Sequence, residues 1–111
     1  MVKLMMVDNV DICCGLSWGD EAKGKLVTEL LKKNKYDFVF YIAGVDIHHE
    51  DRLGKLKITD EGINKRDQIV IENFYSKNIP LCGVLGGGYN KSFDKLIELH
   101  SMLHKNCAEI I

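Results

Sequence analysis

A chain of 111 residues is one domain's worth of polypeptide, long enough to bury a real core. Its 15 Lys and Arg stand against 16 Asp and Glu, a formal net charge of −1 with the signs interspersed, which gives no electrostatic footprint for nucleic acid or an acidic membrane surface. No apolar run approaches the roughly 20 residues of a bilayer span, and Met1 to Asp8 lacks the length and pattern of a signal peptide. The expectation is a cytoplasmic or otherwise intracellular protein with neither a nucleic-acid nor a membrane partner.

Val10 to Leu16 is a short, nearly continuous apolar run of the kind found in strands covered on both faces, and it leads straight into a glycine-rich loop. Leu26, Val27, Leu30 and Leu31 then recur at helical spacing opposite Lys23, Lys25, Lys32 and Lys33. After a break at Asn34-Lys35, residues 36–42 are aromatic and β-branched, as in a buried strand. Polar residues and Gly54 fill 45–58. Thr59 is placed to cap a helix whose first turn holds Asp60 and Glu61, and Asn78 and Pro80 end it. Residues 79–85 read as a third strand, released by Gly86–Gly88 into a loop. Ser92 caps a last helix in which Phe93, Leu96, Ile97, His100 and Leu103 form an apolar stripe.

The pattern is α/β, in the order βαβαβα: one domain over 1–111, with a small parallel three-stranded sheet flanked by helices. The loops at 17–24, 43–53 and 86–91 fall at the C-terminal ends of the strands, where ligands bind in open parallel sheets. So small a sheet has exposed edges, and a homodimer or a complementing chain follows as an expectation. The four cysteines form neither a C-x-x-C pair nor a ligand ladder and read as reduced, small hydrophobes. His100 and His104, spaced i, i+4, read as packing and surface residues, and His48-His49 as a solvated polar turn.

Two segments carry chemistry. Gly19-Asp20-Glu21-Ala22-Lys23-Gly24-Lys25 satisfies G-x-x-x-x-G-K, in which glycines admit backbone N–H groups to phosphate oxygens at a helix N-terminus and lysine adds charge. Leu26 stands where a standard P-loop has a hydroxyl for Mg²⁺. From Trp18 to Lys25 the segment resembles the phosphate loop of adenylosuccinate synthetase, with Ala22 in place of a glycine; the strand–loop–helix of residues 1–35 would come from that family. The resemblance implies GTP and magnesium as ligands. It gives Asp20 the removal of the purine proton of IMP, and it aligns His49 with the family's acid histidine.

From Tyr36 onward the order of features is Tyr-Asp-Phe-Val-Phe-Tyr-Ile-Ala-Gly-Val-Asp, then Glu-Asp-Arg-Leu-Gly-Lys-Leu, then Thr-Asp-Glu-Gly, then Gly-Val-Leu-Gly-Gly-Gly-Tyr. This resembles the C-terminal part of the zinc-dependent histone deacetylases, most like their small class IV members, over residues 36–111. The resemblance implies that Asp46 is a zinc ligand and that Leu53 lines the acyl pocket. It also implies that Tyr89, presented by Gly87 and Gly88, hydrogen-bonds the amide carbonyl of an acetyl-lysine substrate. The family's Asp-x-His ligand pair and His-His base lie upstream of the matched region, where this chain carries the synthetase-like piece. Three readings stay open: a deacetylase-family fragment that is incomplete as a catalyst, a GTP- and IMP-binding fragment, and a small α/β protein with neither activity.

Overall fold

The computed structural model describes residues 2–5, 10–13 and 29–110. Four strands, β1 (Val2–Met5), β2 (Val10–Cys13), β3 (Phe38–Ala43) and β4 (Leu81–Leu85), form one sheet in the order β2-β1-β3-β4. Helix α1 (Asp60–Ser76) connects β3 to β4, and α2 (Phe93–Ile110) follows β4. Residues 29–33, just before β3, are also helical.

The expected three-stranded parallel sheet is corrected. Only β3 and β4 pair in parallel, with Val39 opposite Leu81 and Ala43 opposite Leu85. Strand β1, which the sequence reading left out, lies between β2 and β3 and is antiparallel to both. The physical reason is length. Four residues join β1 to β2, enough for an antiparallel return and far too few for a parallel crossover.

Along β3, Val39, Tyr41 and Ala43 are buried and alternate with half-buried Phe38, Phe40 and Ile42. The buried face packs on both helices. Tyr41 and Ala43 meet Ile71 of α1 and Leu103 of α2, while Val39 and Tyr36 meet Phe74. Beyond the end of β3, Val45 joins Ile63 and Leu99, so the core reaches under the loop that follows the strand. Each such side chain contributes about 1.5–3 kcal/mol by leaving water.

The helix ends form as their residues dictate. Thr59 adopts an extended conformation and accepts a hydrogen bond from the Gly62 N–H at 3.1 Å, and Ser92 accepts from the Lys95 N–H at 3.2 Å. At the far end of α1, Asn78 has φ 54°, and the Ile79 and Asn78 N–H groups return to the carbonyls of Phe74 and Tyr75. An asparagine in the left-handed region closes a helix in this way.

The stripe read on α2 is corrected in its facing. Its buried residues are Leu99, Leu103 and Asn106, whereas Phe93 and Ile97 are exposed and Leu96 is half-buried. The side carrying Phe93 and Ile97 looks past the open edge of β4, beside exposed Leu85, and no described layer covers it. Among the described residues, no helix is long and apolar enough to cross a membrane. Cys82 and Cys107 are free thiols, and burial pushes the Cys107 thiol up.

Candidate functional site

Parallel pairing in register brings the C-terminal ends of β3 and β4 level, so the loops leaving Ala43 and Leu85 start side by side. The N–H groups of Val45 and Asp46 both donate to the Gly87 carbonyl, at 2.6 and 3.1 Å. The Asp46 carboxylate lies across Gly44 and Gly87. A Cβ on Gly44 would sit 2.9 Å from Asp46 Oδ1, and one on Gly87 2.9 Å from Oδ2, so a side chain at either position would displace the carboxylate from where it lies. Asp46 is half-buried, and no donor among the described residues takes up its carboxylate.

The second link between the loops is Asp51, which sequence reasoning missed. Its carboxylate is buried and accepts three backbone N–H groups: Leu53 at 2.9 Å and Gly54 at 2.7 Å on Oδ1, and Tyr89 at 2.7 Å on Oδ2. The Arg52 N–H closes the junction on the Tyr89 carbonyl at 3.3 Å. Burial alone raises the Asp51 pKa. The amides of Gly54, Tyr89 and Leu53, with His48 nearby, more than offset this and hold the carboxyl below its usual range. Tyr89 is thereby anchored through its backbone while its side chain is 53% exposed, and Leu53 is 67% exposed.

A third support comes from α1. Asp67, fully buried, accepts the Tyr41 hydroxyl at 2.7 Å and the Arg66 guanidinium at 2.9 and 3.0 Å. Arg66 then reaches the Gly44 carbonyl at 2.5 Å, two residues before Asp46. Burial drives the Tyr41 hydroxyl well above its ordinary pKa, so it stays protonated and donates. The signal in the sequence was an acid on an otherwise apolar helical stripe, Ile63-Asp67-Ile71-Phe74.

His48 and His49 part company. The solvated turn expected for the pair is corrected for His48, which is 1% exposed, with Nε2 at 2.6 Å from Asp60 Oδ1 and Nδ1 accepting the Glu50 N–H at 3.3 Å. Asp60 is held below the ordinary carboxylate range by Lys95 first and His48 second. His49 is 45% exposed and directs Nδ1 at the Ile58 carbonyl, 3.3 Å away. Of the sequence-predicted site residues, Asp46, Leu53, Gly87, Gly88 and Tyr89 gather at the strand ends. Gly19, Asp20, Glu21, Ala22, Lys23, Gly24 and Lys25 lie outside the described residues, and with them the place where GTP and magnesium were expected.

An α/β arrangement with paired loops at the C-terminal ends of two parallel strands places those loops at the edge where open sheets bind ligands. Residues 20–103 match the histone deacetylase domain model, and the chain belongs to that family. It is 38% identical over 106 residues to an uncharacterized protein of Picosynechococcus sp., a match covering 90% of this chain and 35% of that protein. It is 46% identical over 61 residues to histone deacetylase 2 of Arabidopsis thaliana, covering 55% of this chain and 16% of that protein. The chain thus spans about a third or less of the length of these relatives.

Family membership brings zinc into question. A catalytic zinc takes three protein ligands and an open position. Asp46, uncommitted in its cradle, suits one of them. No group of three ligating side chains among the described residues includes Asp46, so these residues alone do not make the family's metal centre.

Proposed function

We propose that this chain supplies the C-terminal half-site of a zinc-dependent deacetylase acting on acetyl-lysine amides, and that it is incomplete as a catalyst by itself. The observation that carries the reading is the Asp46 carboxylate, which no donor among the described residues takes up, held across Gly44 and Gly87 beside a clamped Tyr89 loop. In this reading Asp46 ligates the metal. The Tyr89 phenol donates to the substrate carbonyl oxygen as it gains negative charge, Leu53 lines the acyl passage, and Gly87 and Gly88 leave room for it. The other ligands and the general base come from outside the described residues or from a complementing chain.

The test is complementation. The chain alone should not turn over an acetyl-lysine peptide at a useful rate. Co-expression with the remaining part of a deacetylase domain should restore turnover, and Asp46→Ala and Tyr89→Phe should each remove it. Losing one oxyanion donor costs about 2.7–4 kcal/mol in transition-state stabilisation, roughly a hundredfold to a thousandfold in rate. Restored turnover indifferent to both substitutions would sink the reading.

A further inference from the structure

We infer that His48, His49 and Asp60 form a binding site for a divalent transition-metal ion, one that does not use Asp46 and stands independently of the deacetylase reading. One donor atom from each of the three lies within 4.8 Å of the others. The imidazole rings lie side by side, tilted at 47° to each other with centroids 4.2 Å apart. Two imidazoles and one carboxylate suit zinc, nickel or copper and are poor ligands for magnesium or calcium, which take oxygen.

The outer contacts are those that metal ligands carry. His49 directs Nδ1 at the Ile58 carbonyl, which places the proton there and leaves the Nε2 lone pair on the solvent side. Asp60 offers Oδ1 to the site while Oδ2 is held by Lys95 at 2.8 Å, and Lys95 is held in turn by Glu98 at 2.9 Å. Glu50 adds a carboxylate 3.9 Å from His49 Nε2 and 4.0 Å from His48 Nδ1. Asp60, Glu50 and Glu98 against Lys95 and Lys57, the latter 3.5 Å from the His49 carbonyl, leave a balance of −1 that favours a cation.

Without metal, His48 Nδ1 accepts the Glu50 N–H, so its proton sits on Nε2 and is donated to Asp60. The ion takes the place of that proton between Nε2 and Oδ1. The imidazole stays neutral by carrying its proton on Nδ1, toward which the exposed Glu50 carboxylate, 4.0 Å away, has to turn to accept it, and the 3.3 Å bond from the Glu50 N–H is given up. Metal bonds of about 2.0–2.2 Å require the donor atoms to stand about 3.3 Å apart. The 2.6 Å contact must therefore open slightly, which Asp60, 28% exposed at the start of α1, can do by turning its side chain. The exposed side of His49 leaves the fourth position to water.

Zinc alone is the probe, titrated into the full chain by calorimetry, with cobalt for its absorption spectrum. One equivalent should bind, magnesium should not compete, and the ring signals of both histidines should shift in NMR spectra. His49→Ala, on an exposed side chain, and Asp60→Asn, which keeps the shape of the helix start, should each weaken zinc binding by about a hundredfold. Asp46→Ala should leave it within twofold. Zinc binding that survives His49→Ala and Asp60→Asn, or no zinc binding at all, overturns the site. Binding lost in Asp46→Ala but kept in His49→Ala also overturns it, while supporting the deacetylase half-site.

Discussion

Replacing Asp51 separates the two functional loops and tests how they are joined. In Asp51→Ala the N–H groups of Leu53, Gly54 and Tyr89 lose a shared charged acceptor. Hydrogen bonds to charged groups are worth about 1.5–3 kcal/mol each, with some recovery where water reaches the freed amides, so the loss should be about 3–5 kcal/mol. Against a total of about 5–15 kcal/mol for a domain, the variant should be close to unfolding. Asp51→Asn is the sharper probe. Its oxygen can keep the Leu53 and Gly54 amides, but its NH₂ then faces the Tyr89 N–H across a 2.7 Å contact, donor against donor. This should cost about 1–3 kcal/mol and free the Tyr89 amide specifically. Urea unfolding gives the stability change, read as a midpoint shift at constant slope. Amide hydrogen exchange should then show faster exchange at Tyr89 than at Leu53. The wild-type sign with pH follows from the depressed Asp51 pKa. Its contribution is complete above the unfolded value of about 3.9 and is lost as pH falls through the lower folded value. If both variants stay within about 0.5 kcal/mol of wild type, with Tyr89 exchange unchanged, the clamp is not a clamp.

Tyr41→Phe removes the hydroxyl that donates to fully buried Asp67 and should cost about 1.5–3 kcal/mol, read as a lower melting temperature. His100 has a buried Nδ1 with no hydrogen-bond partner among the described residues, and burial first, then Arg66, holds its pKa below the usual value. Stability should therefore fall as pH drops below about 6.5 and level off once the folded form is protonated. His100→Met should abolish that slope and unfold at a urea concentration no lower than wild type at pH 5. Exposed Leu85, Phe93 and Ile97 beside the open β4 edge should drive self-association. Light scattering on Phe93→Lys/Ile97→Lys should show a smaller species than wild type, and identical masses would exclude this surface. If the 19–25 loop binds GTP or IMP, Lys25→Ala should abolish that affinity in calorimetry, because the lysine supplies the loop's charge.

Much of the region after Lys35 was legible because each element carries its own punctuation. Thr59 and Ser92 both cap, and Asn78 ends α1 by a left-handed turn of the kind its amide tolerates. The parallel pairing of β3 with β4 follows from a helix-long connection. What escaped was local sequence without periodicity. Strand β1 has four residues, too few for an alternation to be told from chance, and without it the strand read at Val10 was given the wrong neighbour. On α2, Phe93 and Ile97 fit a helical stripe as well as Leu99 does, and only the position of β3 decides which flank is covered. His48 looked solvated because burial of an imidazole depends on a distant partner, Asp60, that no spacing rule supplies. Asp51 hid inside a polar loop for the same reason. Its three partners come from two strand ends that meet only after folding.

The relation between Asp46 and Tyr89 is consequently a local property of residues 41–90. The Gly87 carbonyl takes two amides from the Asp46 loop, and the Asp51 carboxylate takes the Tyr89 amide from the other side. Arg66, braced on Asp67, holds the Gly44 carbonyl beneath them. None of these contacts draws on residues outside that range, so a polypeptide spanning only about a third of a relative's length can still hold the Asp46 loop and the Tyr89 loop in fixed relation. In the proposed half-site, further ligands do not have to shape this half. They have only to dock against it, and the Asp46 carboxylate, which no donor among the described residues takes up, and the exposed Tyr89 side chain are the groups that would meet them.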